Sequence, residues 1–271
     1  MYLSMFANSI TGGDFARLHE DEKGICSIIA FACLPGITVI NLNPQDNFRD
    51  FIIKHLGFAK LFEKVFTRPI VRSFIQMMPG IAELTLLGRL YYFCELDKED
   101  RFDIVIFDGF ASGHFHSLMK TPDAVLHSGM VGPIITETQR VRDYISDRSK
   151  TAVALVTVAE ELVISEAIDF IGRLQKETQA PLASVIVNRC LPAWKESTGT
   201  VALPGSLQRA SDYWRDREAD EARNLQRLQE AIAQSPDGFA PALSRLPDYG
   251  AFTEPLDTKA LLAWIQQAEK L

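Results

Sequence analysis

The chain has 271 residues, is 47% apolar and carries a formal charge of −7. It is long and apolar enough to bury a full core as one large domain, or as one domain with an insertion. The acidic balance, with Lys and Arg dispersed along the chain, excludes a sequence-independent nucleic-acid surface, which needs clustered cations.

Residues 1–24 are polar and irregular, with Gly12-Gly13 and an acidic run at Glu20-Asp21-Glu22. No basic segment precedes an apolar one there, so a signal peptide is not expected. The apolar run Ile25 to Leu42 is cut by Pro35-Gly36, which argues against a membrane span. It predicts two strands, Ile25–Cys33 and Ile37–Leu42, around a Pro-Gly turn. The cysteines at 26, 33, 94 and 190 form no C-x-x-C. Neither a disulfide framework nor a zinc site is expected, and a reducing cytoplasm fits.

Asn43-Pro44 opens a helical section of about residues 44–98. Apolar residues recur there at spacings of three and four, as at Phe48, Phe51, Ile52, Leu84, Leu87 and Leu90. Pro69 and Pro79-Gly80 divide it. Arg68 and Arg72 read as a solvated helix face rather than a phosphate site. Beyond Phe102 the pattern alternates. Strands are expected at Ile104–Phe107, Ala152–Val158, Ala183–Val187 and Phe239–Leu243. Helices are expected at Pro133–Ser146, Val163–Thr178, Leu207–Gln234 and Asp257–Glu269. Such alternation predicts an α/β fold, a mostly parallel sheet flanked by helices, with the helical section as an inserted subdomain. Residues 25–271 then form one domain behind an irregular arm.

Residues 103–122 carry the most chemical information. The apolar stretch Ile104–Phe107 reads as a buried strand ending at Asp108, followed by a small-residue loop with Gly109, Ser112 and Gly113. A carboxylate at the carboxyl end of a parallel strand lies where open α/β sheets bind ligands. There it reaches a phosphate-bound magnesium, usually through a water. His114 and His116 form an H-x-H pair without a third ligand at metal-site spacing, so no direct metal site is expected. Asn188 ends another strand; its amide suits either a ligand's donor and acceptor pair or a turn. Glu160-Glu161 sit at the same end of the sheet, or simply favour a helix start.

The string Asp108, Ala111-Ser112-Gly113-His114 and Thr121-Pro122 resembles the switch II loop of the ArsA family of P-loop ATPases. That family includes arsenite-pump ATPases and the targeting factor for tail-anchored membrane proteins. Its loop proline is replaced here by Phe110. Gly132-Pro133, Arg140 and Arg142, the strand Thr151–Val158 with Glu160-Glu161, and Val185-Ile186-Val187-Asn188 extend the resemblance over roughly residues 36–271. It implies a P-loop NTPase-like fold of the deviant-Walker class and use of ATP and Mg2+. It places Asp108 in the magnesium shell, Gly109, Ser112, Gly113 and His114 in switch II, Asn188 and Pro247 at the nucleotide base, and Glu160 as an acidic contact. It further implies a cytoplasmic dimer, either of identical chains or with an ATPase paralogue. In the Phe- and Met-rich helices, Met77-Met78 would suit a groove for an apolar client helix, although these helices could equally bury their own stripe. Neither nucleic acid nor integral membrane insertion is implied.

One element of the family pattern is absent. A P-loop requires Gly-x-x-x-x-Gly-Lys-[Ser/Thr], whose backbone N–H groups and lysine surround the phosphates. No Gly-Lys pair occurs in these 271 residues. Two expectations follow. Either the true start lies upstream and this is a fragment of an ordinary ATPase, or the chain is complete and acts without catalysis, as a binding or scaffold subunit.

Overall fold

In a computed structural model of the protein, the residues described are 19–20, 27–30, 38–42, 80–96, 102–191, 204–234, 241–248 and 258–271. They belong to two compact units, Met1–Lys150 and Thr151–Leu271. Most of the section 44–98, including Met77-Met78, lies outside the described residues, as does most of the arm 1–24.

In the first unit, β1 (His19–Glu20), β2 (Ser27–Ala30) and β3 (Thr38–Asn41) form an antiparallel sheet in that order. Ser27 pairs with Asn41 and Ala30 with Thr38, an antiparallel register; the expected Pro35-Gly36 turn lies outside the described residues.

Among the described residues three helices follow: α1 (Ile81–Tyr91), α2 (Ser112–Leu126) and α3 (Pro133–Ser146), with one wide π turn at Tyr92–Leu96. α1 enters from Gly80 at φ 84°, a left-handed conformation that costs only glycine little. A Cβ there would also stand 3.2 Å from the Thr121 methyl. Glu83 in the first turn and Arg89 in the last both complement the helix dipole. α1 buries Leu84, Leu86 and Leu87, α2 buries Leu118, Met119 and Val125, and α3 buries Val141. These stripes meet where the three helices contact one another. Each fully buried Leu contributes about 1.5–3 kcal/mol.

Pro122 lies inside α2, where it removes one helical N–H, and the Thr121 hydroxyl donates to the Ser117 carbonyl at 3.0 Å beside it. α3 starts at Pro133, whose missing N–H costs nothing at a first helical position. The preceding Gly132, at φ 95° and ψ −163°, occupies a region essentially restricted to glycine.

The second unit holds the parallel sheet. Strands β4 (Val153–Val158), β5 (Leu182–Cys190) and β6 (Ala242–Pro247) run parallel, and β7 (Glu269–Lys270) closes the edge antiparallel to β6. The fold is therefore α/β, an open, mostly parallel sheet with flanking helices. α4 (Glu161–Glu177) crosses from β4 to β5 and buries Ile164, Ala167, Phe170, Ile171 and Leu174, a stripe at spacings of three and four. Val185 and Val187 of the central strand β5 are fully buried.

The long helix α5 (Gly205–Ala233) packs unevenly. Asn224, Leu225 and Leu228 are buried, whereas Leu207, Tyr213 and Trp214 are exposed. α6 (Thr258–Ile265) is shorter than the expected helix Asp257–Glu269, because its last residues turn back to form β7.

Uneven packing of α5 gives a direct test. Leu228→Ala, at a fully buried position, is expected to lower unfolding free energy by about 2–5 kcal/mol. Leu207→Ala, 54% exposed on the same helix, should stay within about 0.5 kcal/mol of the parent. Urea unfolding of the two variants measures both, and equal losses would show that the outer half of α5 is packed.

Candidate functional site

The expected strand Ile104–Phe107 does not form. Residues 102–111 carry no regular secondary structure, and Ile104 and Ile106 are 78% and 88% exposed. A strand is stabilised by a paired ladder and a buried face, and among the described residues this segment has no ladder partner. Asp108 is therefore exposed on an irregular segment rather than standing at the end of a buried strand.

The segment does hold local order. A Cβ on Gly109 would stand 3.0 Å from the Phe115 ring, so this position takes only a glycine without displacing that ring. The Phe110 ring lies 4.5 Å from that of His114, and His114 Nε2 is 4.0 Å from Glu83 Oε1 on α1. Ser112 opens α2, and the Gly113 carbonyl accepts from the Ser117 hydroxyl at 3.2 Å. The H-x-H pair does not converge. His114 is exposed and His116 buried, as residues two apart on a helix must diverge. No group of three or more His, Cys, Asp or Glu suited to a metal occurs among the described residues.

A second arrangement lies within the other unit, at the carboxyl edge of its sheet. Parallel pairing of Val158 with Asn188, and of Cys190 with Pro247, brings the exits of β4, β5 and β6 to this one edge. Asn188 accepts through Oδ1 the Arg189 N–H at 2.9 Å, and Arg189 takes the left-handed conformation at φ 58°. The amide thus performs the turn role. The ladder to β6 is irregular at this point, as at a bulge, a device common beside sites.

Three bonds then fasten the exit. The Glu221 carboxylate on α5 accepts the Leu191 N–H at 2.9 and 3.2 Å. The Asp248 N–H donates to the Cys190 carbonyl at 2.7 Å, and the Trp264 indole N–H donates to the Pro247 carbonyl at 2.8 Å. The Asn224 amide of α5 donates to the Ala159 carbonyl at 3.1 Å, so the exit of β4 is held by the same helix.

Beside these exits opens a cavity of about 430 Å³ lined by Cys190, Arg245, Pro247, Gln266, Gln267 and Glu269, among others. Its volume lies in the range of small-molecule sites. Arg245 Nε donates to Glu269 Oε2 at 2.7 Å, with Nη2 2.5 Å from the same oxygen. Burial pushes the Cys190 thiol up to about 11, reinforced by Glu221 and opposed by Arg245; it is a packing group here, not a nucleophile. Burial also raises Glu221, against the stabilising Leu191 N–H and the Arg245 and Arg217 guanidiniums. Arg217 is held above its ordinary value first by its hydrogen bond with Tyr213, then by Glu160 and Glu221. Glu160 thereby belongs to the electrostatic surroundings of this edge.

Of the residues singled out from sequence, Asn188, Glu160 and Pro247 gather at this edge. Asp108, Gly109, Ser112, Gly113 and His114 lie on the irregular segment and first helical turn in the other unit. Sequence reasoning missed Arg245, Glu269 and Glu221. Arg245 left a usable signal, a cation inside the short strand Ala-Leu-Ser-Arg-Leu-Pro. Glu221 left none, being one of many charges on a polar helix.

A sign follows for Glu221. A carboxyl raised above its ordinary 4.5 favours the fold while protonated, and that contribution is lost as pH rises through its raised value. Glu221→Gln keeps an acceptor for Leu191 but cannot ionise. Between pH 4 and 7 its thermal midpoint, relative to the parent, is expected to climb; a parallel pair of pH profiles would exclude the assigned burial effect.

Residues 130–210 match the sequence pattern of the family described as anion-transporting ATPase, ArsA_ATPase. The match runs from the entry of α3 through β4, α4 and β5 into α5, and includes Glu160 and Asn188 but neither Asp108 nor Pro247. This stretch, less than half of the chain, is ArsA-like. Comparison with curated proteins gave no match.

Proposed function

We propose that this chain, ArsA-like over residues 130–210, supplies the base-side wall of a nucleotide pocket and does not hydrolyse ATP by itself. One observation carries the reading. The carboxyl edge of the parallel sheet, where α/β proteins take their ligands, carries Asn188, Glu160 and Pro247 at its strand exits, with Pro247 also lining a cavity there, while no Gly-Lys pair exists in the 271 residues to hold the phosphates.

The phosphate side does not fit ATP and Mg2+ as the family uses them. Without a P-loop lysine and its preceding glycine turn, the charge on a transferring phosphoryl group lacks its principal stabiliser. Asp108, exposed and alone, does not replace them.

A second reading, a non-catalytic subunit that binds a partner, is favoured by α5. Its outer half presents Leu207, Tyr213 and Trp214 to solvent, with Arg217 above the Trp214 ring at 5.9 Å, and aromatic residues with Arg are the types enriched in protein interfaces. An ATPase paralogue, a second copy of this chain and an apolar client helix are the partners the resemblance suggests. In this reading the protein works in the cytoplasm. Among the described residues no helix is long and apolar enough to cross a membrane.

Calorimetric titration of the 271-residue chain with ATP, with and without magnesium, separates the readings. The expected result is no magnesium-dependent binding tighter than about millimolar, a level at which binding free energy is only about 4 kcal/mol, and no phosphate release. Micromolar, magnesium-dependent binding abolished by Asp108→Ala would overturn the non-hydrolysing proposal. Co-purification with a P-loop-bearing relative would favour the subunit reading.

A further inference from the structure

We propose that the cavity beside β5 and β6 is a seat for a small oxyanion, with Arg245 as its binding cation, and that the segment Gln266–Lys270 is a strap whose Glu269 carboxylate holds the seat closed. The inference goes beyond the nucleotide-wall reading and does not depend on it, so a chain that binds no nucleotide leaves it standing.

The chemistry converges on Arg245. It is a cation inside a strand of the sheet, its side chain is only 29% exposed, and it lines the cavity. Burial raises both Cys190 and Glu221 at this edge, and the Arg245 charge opposes both shifts. A half-buried guanidinium needs an acceptor. A single carboxylate oxygen, Glu269 Oε2, takes Nε at 2.7 Å and Nη2 at 2.5 Å. Those two nitrogens form one edge of the planar group, the edge that a carboxylate or phosphate meets with two oxygens in parallel. Glu269 covers with one oxygen what an external oxyanion would fill with two.

The strap is weakly held. Gln266, Gln267, Ala268 and Glu269 all line the cavity, and every residue from Gln266 to Lys270 is exposed. A two-residue ladder fastens it, Ser244 with Lys270 and Arg245 with Glu269. The Leu271 N–H adds a bond to the Leu243 carbonyl at 3.0 Å. The ion pair itself has an acid that is 59% exposed, and such pairs contribute little. Just before the strap, the Trp264 indole is bonded to the Pro247 carbonyl at 2.8 Å, which anchors the end from which it opens. Opening uncovers Nε and Nη2 and widens a cavity already of about 430 Å³. The ligand class follows from the stand-in: a small molecule bearing a carboxylate, or a phosphate group with the same acceptor oxygens.

Two measurements on the full chain test this. Ligand-observed NMR titration with succinate and, separately, with inorganic phosphate reads the seat. Hydrogen exchange of the peptide covering residues 262–271 reads the strap. Chloride at equal ionic strength is the reference, because screening alone loosens an exposed pair. Glu269→Gln is expected to bind at least one of the two anions about threefold tighter than the parent, the scale on which a surface ion pair competes. Adding Arg245→Gln should abolish that gain. Glu230→Gln, which removes the same charge from an exposed position on α5, should match the parent. In the parent, the anion that binds should speed exchange across 262–271 where chloride does not, and its identity names the ligand group. Exchange no faster than in chloride overturns the proposal whether or not the variants fold. Equal affinities of the parent and a folded Glu269→Gln variant, or an equal gain in Glu230→Gln, overturn it too.

Discussion

The parallel ladder between β4, β5 and β6 is the constraint from which the second unit follows. Once Val153–Val158 aligns with Leu182–Asn188 and the latter with Ala242–Arg245, three chain exits far apart in sequence must emerge at one edge. A parallel arrangement needs a crossover, and α4 supplies it with a buried stripe ending in Leu174. The inner half of α5 adds Leu225 and Leu228 to the same core. Val185 and Val187 are apolar because β5 is flanked by strands on both sides and covered by side chains; a polar residue there would lose water without gaining a partner.

At the edge itself the chemistry is nearly self-neutralised. Glu221 takes the Leu191 N–H, Asn188 takes the Arg189 N–H, and Arg245 takes Glu269. A ligand must therefore bind to lone pairs and protons that remain after these bonds, or displace an exposed partner. Glu269 is the group on which displacement is cheapest, since it belongs to a two-residue strand with both residues exposed, and surface ion pairs are weak. Glu221 is different in kind: half-buried and bonded to a main-chain N–H, it holds the exit of β5 in place whatever occupies the cavity.

The first unit shows how differently a motif and its setting behave. The string from Asp108 to Pro122 resembles a switch loop, yet its first half forms no strand and its carboxylate stands in solvent. The second half does what its residues favour locally: Ser112 opens a helix and Gly109 makes room for Phe115. His114 is tied to its surroundings by the Phe110 ring and Glu83, contacts that a spacing argument does not anticipate.

Periodicity in the amino-acid sequence by itself determined α3, whose expected limits coincide with Pro133–Ser146, and placed β4, α4, β5 and α5 within a few residues, because those signals are local and repeat with the geometry of the backbone. It also determined that these 271 residues hold no phosphate-gripping lysine motif, since that is a matter of covalent order alone. Tertiary structure alone decided that Ile104–Phe107 forms no strand, that the C-terminal helix stops early to form β7, and that Arg245 meets Glu269 across 24 residues. A strand exists only through its neighbour, and a charge acquires meaning only from what faces it; both are contacts between distant positions, which no local pattern encodes.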